Sequence, residues 1–188
     1  MSPVFIVISL SWIGWLAYWI LAARNVKAVA ETESGLSRVL YSVPLFVAAL
    51  LLLDTHLGRW LNMQLVSHSL TVAWIGAALT LAGILFAVWA RVVLGGNWSG
   101  QVTVKEDHEL IRTGPYALAR HPIYTGLALA FAGSALATGE LRGLIALVLV
   151  VASFVYKMGI EERAMRRTFG AAYDDYARQV KALVPFVV

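Results

Sequence analysis

Two polar clusters interrupt an otherwise apolar chain, and they carry the residue types that can do chemistry. The first runs from Gly114 to Gly126, as Gly-Pro-Tyr-Ala-Leu-Ala-Arg-His-Pro-Ile-Tyr-Thr-Gly; the second runs from Lys157 to Arg167. Arg120 beside His121 at the start of an apolar run has no obvious structural need. Charged and titratable groups at membrane depth are costly and by default point to a functional site. Gln101, His108, Leu110, Ile111, Tyr116, His121 and Tyr124 lie in or beside the first cluster, and Lys157, Glu161, Glu162 and Arg163 form the core of the second. Lys157 and Glu161 are one helical turn apart and share a face, with Glu162 on the adjacent face. Brought together, the clusters offer hydrogen bonding, an aromatic wall and both signs of charge. That combination suits a polar, cationic cofactor meeting a lipid-like acceptor.

Taken singly, each residue also has a structural reading. Arg120 can anchor a helix end by snorkelling. His121 and Tyr124 can satisfy a helix start at the interface. Lys157 and Glu161 can be a plain helix ion pair worth about 0.3–0.5 kcal/mol. Tyr173 and Tyr176 read as packing residues, and Trp12, Trp15 and Trp19 as interfacial belt or core. The functional case rests on the combination.

The elements that must position these groups are membrane spans. Of 188 residues, 60% are hydrophobic and 14% charged, where a soluble domain has about half and about a quarter. This implies one integral membrane domain over residues 1–188, all-α and multi-pass. No cysteine is present, so disulfides and thiolate metal sites are excluded and no metal site is expected. Apolar runs cover Pro3–Ala23, Val39–Leu53, Leu70–Leu94, Pro122–Thr138 and Gly143–Met158. About 20 residues cross the hydrocarbon core, so about five spans are expected, the last two as a tight hairpin. Pro3–Ala23 is too long and Trp-rich for a cleaved signal peptide. Gly76 and Gly83 are expected at close helix contacts. Gln101–Lys105 alternates like an extended segment or hairpin outside the bilayer. Pro115 suits a helix start, and His121, preceding Pro122, is expected outside the helix. Met165, Phe169, Tyr173, Tyr176 and Val180 form an apolar stripe over Glu161–Lys181, an amphipathic helix interrupted at Gly170. Residues 1–94 would hold three spans, and residues 95–188 the cofactor loop, hairpin and terminal helix of a catalytic half.

With five spans, all of the 15 Lys and Arg residues except Arg59 and Arg142 fall on one side. The positive-inside rule puts that side, and both polar clusters, in the cytoplasm. The setting is the cytoplasmic membrane if the source is prokaryotic. The net charge of +4 follows from this topology and does not imply a nucleic-acid partner.

The pattern Leu110-Ile111-Arg112-Thr113-Gly114-Pro115-Tyr116, then Arg120-His121-Pro122-Ile123-Tyr124-Thr125-Gly126, then Glu161-Glu162, then Phe169-Gly170-Ala171-Ala172-Tyr173-Asp174-Asp175-Tyr176 resembles the isoprenylcysteine carboxyl methyltransferase family. That family sits in a wider group with the phospholipid N-methyltransferases. The resemblance covers roughly residues 97–186. It implies S-adenosylmethionine as cofactor, bound by Gln101, His108, Glu109, Leu110, Ile111, Tyr116, His121, Pro122, Ile123, Tyr124, Glu161 and Glu162. It further implies a prenylated or lipid-like acceptor entering from the bilayer among membrane lipids. One position departs: the prenyl-cysteine enzymes carry an arginine about one turn before the glutamates, and this chain has Lys157, which keeps the charge and loses the bidentate fork.

Carboxyl O-methylation of an isoprenylcysteine-type acceptor is the reaction implied. An ionised carboxylate needs no general base, only a neighbouring cation, and Lys157 or Arg120 supplies one. Ethanolamine-phospholipid N-methylation is the alternative, and its amine must first lose a proton, to Glu161, Glu162 or His121. An NADPH-dependent membrane reductase and a non-enzymatic scaffold are further alternatives.

Overall fold

The computed structural model describes residues 2–24, 29–32, 35–53, 58–67, 69–98, 103–105 and 109–184. Its helices are α1 (Pro3–Ala22), α2 (Gly35–Leu53), α3 (Leu70–Leu94), α4 (Pro122–Thr138), α5 (Leu141–Phe169) and α6 (Ala171–Gln179). Four of them, α1, α2, α3 and α5, are long and apolar enough to cross a membrane, and α4 is a shorter apolar helix. The chain is an integral membrane protein. Two short strands, β1 (Val29–Thr32) and β2 (Thr103–Lys105), pair antiparallel. The Thr103–Lys105 part of the alternating segment is therefore extended as its pattern implies, but its partner is the distant link after α1.

α3 and α4 are antiparallel and make the most extensive helix contact. Glycines allow it. A Cβ on Gly76 would stand 2.5 Å from the Gly133 carbonyl oxygen, and one on Gly126 would stand 2.5 Å from that of Gly83. In lipid there is little hydrophobic drive between helices, so close backbone approach supplies the packing. Thr80 and Ser134 hydrogen-bond across the same seam at 3.1 Å, and the Trp12 indole donates to Ser134 Oγ at 3.0 Å, tying in α1. α5 packs on α2 and α4.

The expected runs Pro3–Ala23, Leu70–Leu94 and Pro122–Thr138 match helices to within a residue. The fifth is much longer than expected. α5 spans 29 residues because its charged turns from Glu161 continue the helix that the apolar run begins. The terminal amphipathic segment is thus the end of α5 plus α6, broken at Gly170, whose φ is 52°.

The helices define two ends. At one lie the β-ribbon, the C-termini of α1, α3 and α5 and the N-termini of α2 and α4; this is the basic end. At the other, residues 61–66 hold the α4–α5 turn. Leu65 N–H donates to Gly139 O at 2.8 Å and Arg142 N–H to Leu61 O at 2.9 Å. Gly139, at φ 65°, sits so tightly there that a Cβ would lie 2.9 Å from Val66 O.

Candidate active site

The two polar clusters meet at the basic end. Residues 114–117 form a single 3-10 turn that Pro115 starts, and His121 stands just outside α4 with φ −121° and ψ 59°, as its place before proline requires. Pro122 opens α4 where a missing N–H costs nothing. His121 and Tyr124 thereby leave one helix start together and stack, rings 5.6 Å apart, and Tyr124 stacks in turn on Phe154 of α5 at 4.6 Å.

Glu161 receives three groups. The Tyr124 hydroxyl donates to Oε1 at 2.5 Å, His121 Nδ1 lies 3.3 Å from Oε2, and Lys157 Nζ is 3.9 Å from Oε1. The other imidazole nitrogen, Nε2, is 3.4 Å from Glu162 Oε1. Burial alone would lower the His121 pKa, but hydrogen bonds to Glu161 and Glu162 and their charges outweigh it and hold it above its ordinary value. In its protonated form the ring can donate from both nitrogens, one to each carboxylate. Lys157 is 8% exposed, with its ammonium 4.8 Å from the centre of the Tyr41 ring.

Arg120 is held by a different set of partners. Its Nε and Nη2 donate to Glu162 at 3.0 and 2.5 Å, and Nη1 donates to the Ala177 and Val180 carbonyls at 3.2 and 2.5 Å. It therefore closes the C-terminal end of α6, where a cation suits the exposed carbonyls. The chain beyond α6 runs along the start of α4. Arg120 N–H donates to Lys181 O at 2.8 Å, His121 N–H to Ala182 O at 2.9 Å, and Thr125 Oγ1 to Leu183 O at 2.5 Å. The Tyr176 hydroxyl donates to Tyr116 O at 2.6 Å, which pins α6 over the 3-10 turn.

These contacts surround a cavity of about 310 Å³. Glu109, Leu110, Ile111, Tyr116, Arg120, His121, Pro122, Ile123, Tyr124, Lys157 and Glu161 all line it. Glu162 does not line it and instead holds Arg120 and His121 from behind. Gln101 and His108 lie outside the described residues. Burial pushes the Tyr116 phenol up, with the Glu161 charge adding to it, so Tyr116 presents a hydroxyl and not a phenolate.

Sequence reasoning missed part of the wall. Trp15 and Trp19 of α1, Asn97 and Trp98 after α3, and Tyr173 and Tyr176 of α6 also line the cavity. Their rings are linked: Trp98 meets Trp19 edge-on at 5.6 Å, and Trp19 lies 5.1 Å from Trp15. The buried Trp15 indole N–H has no hydrogen-bond partner among the described residues. The available signal was the spacing of Trp15 and Trp19, one turn apart on a single face.

A sequence profile of the phospholipid methyltransferase family matches residues 71–172, more than half of the chain. The chain belongs to that family. A protein of Oryza sativa subsp. indica named probable protein-S-isoprenylcysteine O-methyltransferase is 29% identical over 119 residues, which is 62% of this chain and 62% of the rice protein. The protein-S-isoprenylcysteine O-methyltransferase of Saccharomyces cerevisiae is 27% identical over 190 residues, covering 96% of this chain and 78% of the yeast protein. Among solved structures, a eukaryotic intramembrane Ras methyltransferase (isoprenylcysteine carboxyl methyltransferase) superposes with a TM-score of 0.54 at 24% identity, over 81% of this chain and 52% of that chain. At that identity the likeness is one of fold. The matched family region contains both polar clusters and the α3–α4 seam.

Proposed function

We propose that this protein is an S-adenosylmethionine-dependent methyltransferase acting on the carboxylate of a prenylated or lipid-like acceptor, of the isoprenylcysteine type. One observation carries the reading: a cavity at the basic end joins a carboxylate held by three groups, Glu161, to a buried cation, Lys157, beneath a wall of tryptophans on membrane-facing helices. The residues fit the cofactor's chemistry. Glu161 suits its ammonium, and Tyr116, Tyr124 and the tryptophans offer aromatic faces to a purine or a sulfonium. When bound, S-adenosylmethionine supplies an electrophilic methyl group.

The protein's part is alignment and exclusion of water. Tyr124 and His121 fix the Glu161 carboxylate. Lys157, one turn before Glu161, sets a positive charge where an acceptor carboxylate would approach. Arg120 is taken up by Glu162 and by the α6 carbonyls, so Lys157 is the cation better placed to receive the acceptor. An acceptor oxygen reaching Trp15 would satisfy its indole N–H. The acceptor's apolar part lies along Leu45, Leu127 and Phe154, and the cavity faces the cytoplasm, the side on which the basic residues gather.

One feature favours a second reading, amine methylation of a phospholipid. His121 bridges Glu161 and Glu162 and offers a path for the proton that an ammonium must lose.

The test is thermal unfolding with and without S-adenosylhomocysteine, run beside transfer of labelled methyl to a prenylated cysteine and to phosphatidylethanolamine. Ligand at about a hundred times its Kd adds about 2.7 kcal/mol of stability. Label in the prenylated cysteine is expected. Label only in the amine lipid selects the second reading, and no stabilisation of folded protein overturns both.

A further inference from the structure

Methyl transfer as derived above makes no use of Arg91, in the last turn of α3. It is 3% exposed. Its Nη1 donates to Gly95 O and its Nη2 to Ala22 O, each at 2.7 Å, and its guanidinium lies 4.6 Å from the centre of the Trp98 ring. A guanidinium has five N–H donors, and these two bonds use two of them. Nε is buried with no partner. No acidic side chain among the described residues pairs with it; the neighbouring titratable groups that act on it are Tyr18 and Tyr116. A buried cation is ordinarily paired, because removing it from water costs several kcal/mol. Among the described residues, the hydrogen bonds of Arg91 go to neutral carbonyls.

Beside it opens a second cavity, of about 430 Å³, lined by Arg91, Tyr18, Leu21, Val92, Gly95 and Gly96. It is separate from the first, and Trp98, under the guanidinium, belongs to the wall of the first alone. Around Gly95 there is room: a Cβ built there would meet nothing within 4 Å. Leu21 and Val92, on the membrane-crossing helices α1 and α3, are each 60% exposed. The site thus combines a buried cation, which no described carboxylate compensates, and a tyrosine with an apolar lip, at the ends of two helices long and apolar enough to cross a membrane. Arg24, exposed just past α1, adds positive charge at the same end.

We propose that this second cavity binds the phosphate of an anionic phospholipid, with Arg91 as its counter-charge and an acyl chain over Leu21 and Val92. A net-negative headgroup is favoured over a zwitterionic one because, among the described residues, no carboxylate pairs with the guanidinium. The lipid would hold together the ends of α1 and α3 that Arg91 already ties. The inference does not depend on which acceptor is methylated.

Native mass spectrometry of the full chain, released from bilayer discs of equal phosphatidylglycerol and phosphatidylcholine, tests it. The parent is expected to retain one phosphatidylglycerol, preferred about fivefold, as one basic group near a membrane surface provides. Arg91→Met should abolish the preference. Because that change also removes the tie between α1 and α3, Val92→Glu is the companion; it leaves both carbonyl bonds of Arg91 in place and sets a negative charge on the lip. Equal retention of the two lipids by the parent, or an undiminished preference in Val92→Glu, overturns the proposal. So does stabilisation of the detergent-solubilised parent by inorganic phosphate equal to that by phosphatidylglycerol, since the ligand would then be a soluble phosphate.

Discussion

The two ends of the bundle both bury ion pairs, and the contrast between them separates a support from a site. At the far end, Arg142 is 4% exposed, pairs with Glu140 and donates to the Leu51 and Leu52 carbonyls at 2.8 and 3.1 Å. It joins the last turn of α2 to the start of α5. At the basic end, Glu161, His121, Tyr124 and Lys157 are as closely held, but the side chains border a cavity of about 310 Å³. Charge within a membrane protein is therefore not itself the mark of a site. Charge that is preorganised and still faces open space is.

Breaking the far-end pair should produce the largest effect, and on stability alone. Arg142→Met strands the Glu140 carboxylate and the Leu51 and Leu52 carbonyls, at about 3–5 kcal/mol. Turnover per folded molecule should stay near that of the parent, measured by activity normalised to the folded fraction. Loss of turnover in the folded fraction would erase the distinction between the ends.

At the basic end the balance reverses. Glu161→Gln removes the charge on which three side chains converge, and turnover should fall about a hundredfold, or about 2.7 kcal/mol in the barrier, with stabilisation by S-adenosylhomocysteine lost. Lys157→Met separates acceptor from cofactor. Turnover should fall about tenfold or more, and stabilisation by S-adenosylhomocysteine should persist. If ligand stabilisation vanishes as well, Lys157 serves the cofactor through Glu161 and not the acceptor.

The seam between the ends sharpens the comparison further. Gly76→Ala places a methyl 2.5 Å from Gly133 O and should cost about 1–3 kcal/mol by forcing α3 from α4. Gly14→Ala, with nothing within 4 Å of the added Cβ, should be neutral or stabilise by about 0.5–1 kcal/mol. Unfolding in detergent compares the pair.

The smallest effect is one of pH. His121 is faced by Glu161 and Glu162 of α5, by Tyr124 of α4 and by Arg120 next to it. Its folded pKa is raised, so protonated His121 stabilises the fold. That contribution is complete below the ordinary imidazole pKa of about 6.5 and is lost as pH rises through the raised value. The midpoint of unfolding should decline from about pH 6 upward, and His121→Asn should flatten the decline. A parent that gains stability over that range would show that the carboxylates do not govern His121.

Much of this was legible in the chain. Helix limits at Pro3, Leu70, Leu94, Pro122 and Thr138 follow from apolar runs ended by polar residues, glycine or proline. The seam glycines and the non-helical His121 follow from local sterics. His121, Tyr124, Lys157 and Glu161 were visible because polar groups stand out in an apolar chain. Trp15, Trp19, Tyr173 and Tyr176 were not, since an aromatic residue that lines a cavity has the same local signature as one that packs a core. Arg120 and Glu162 show the reverse: motif residues whose side chains mostly serve the frame.

By itself, then, the sequence determined the helical membrane architecture, the gathering of basic groups at one end and the two clusters that meet there, because hydropathy, proline and glycine act locally. Only the tertiary structure decided that Glu161 faces the cavity while Glu162 stands behind it, that α1 supplies part of the aromatic wall, and that Arg91 is buried against carbonyls with no described carboxylate beside it. Those outcomes depend on which side chains are neighbours across helices, and that is set by the close approach of α3 to α4 and the clasp of the C-terminal segment on Arg120.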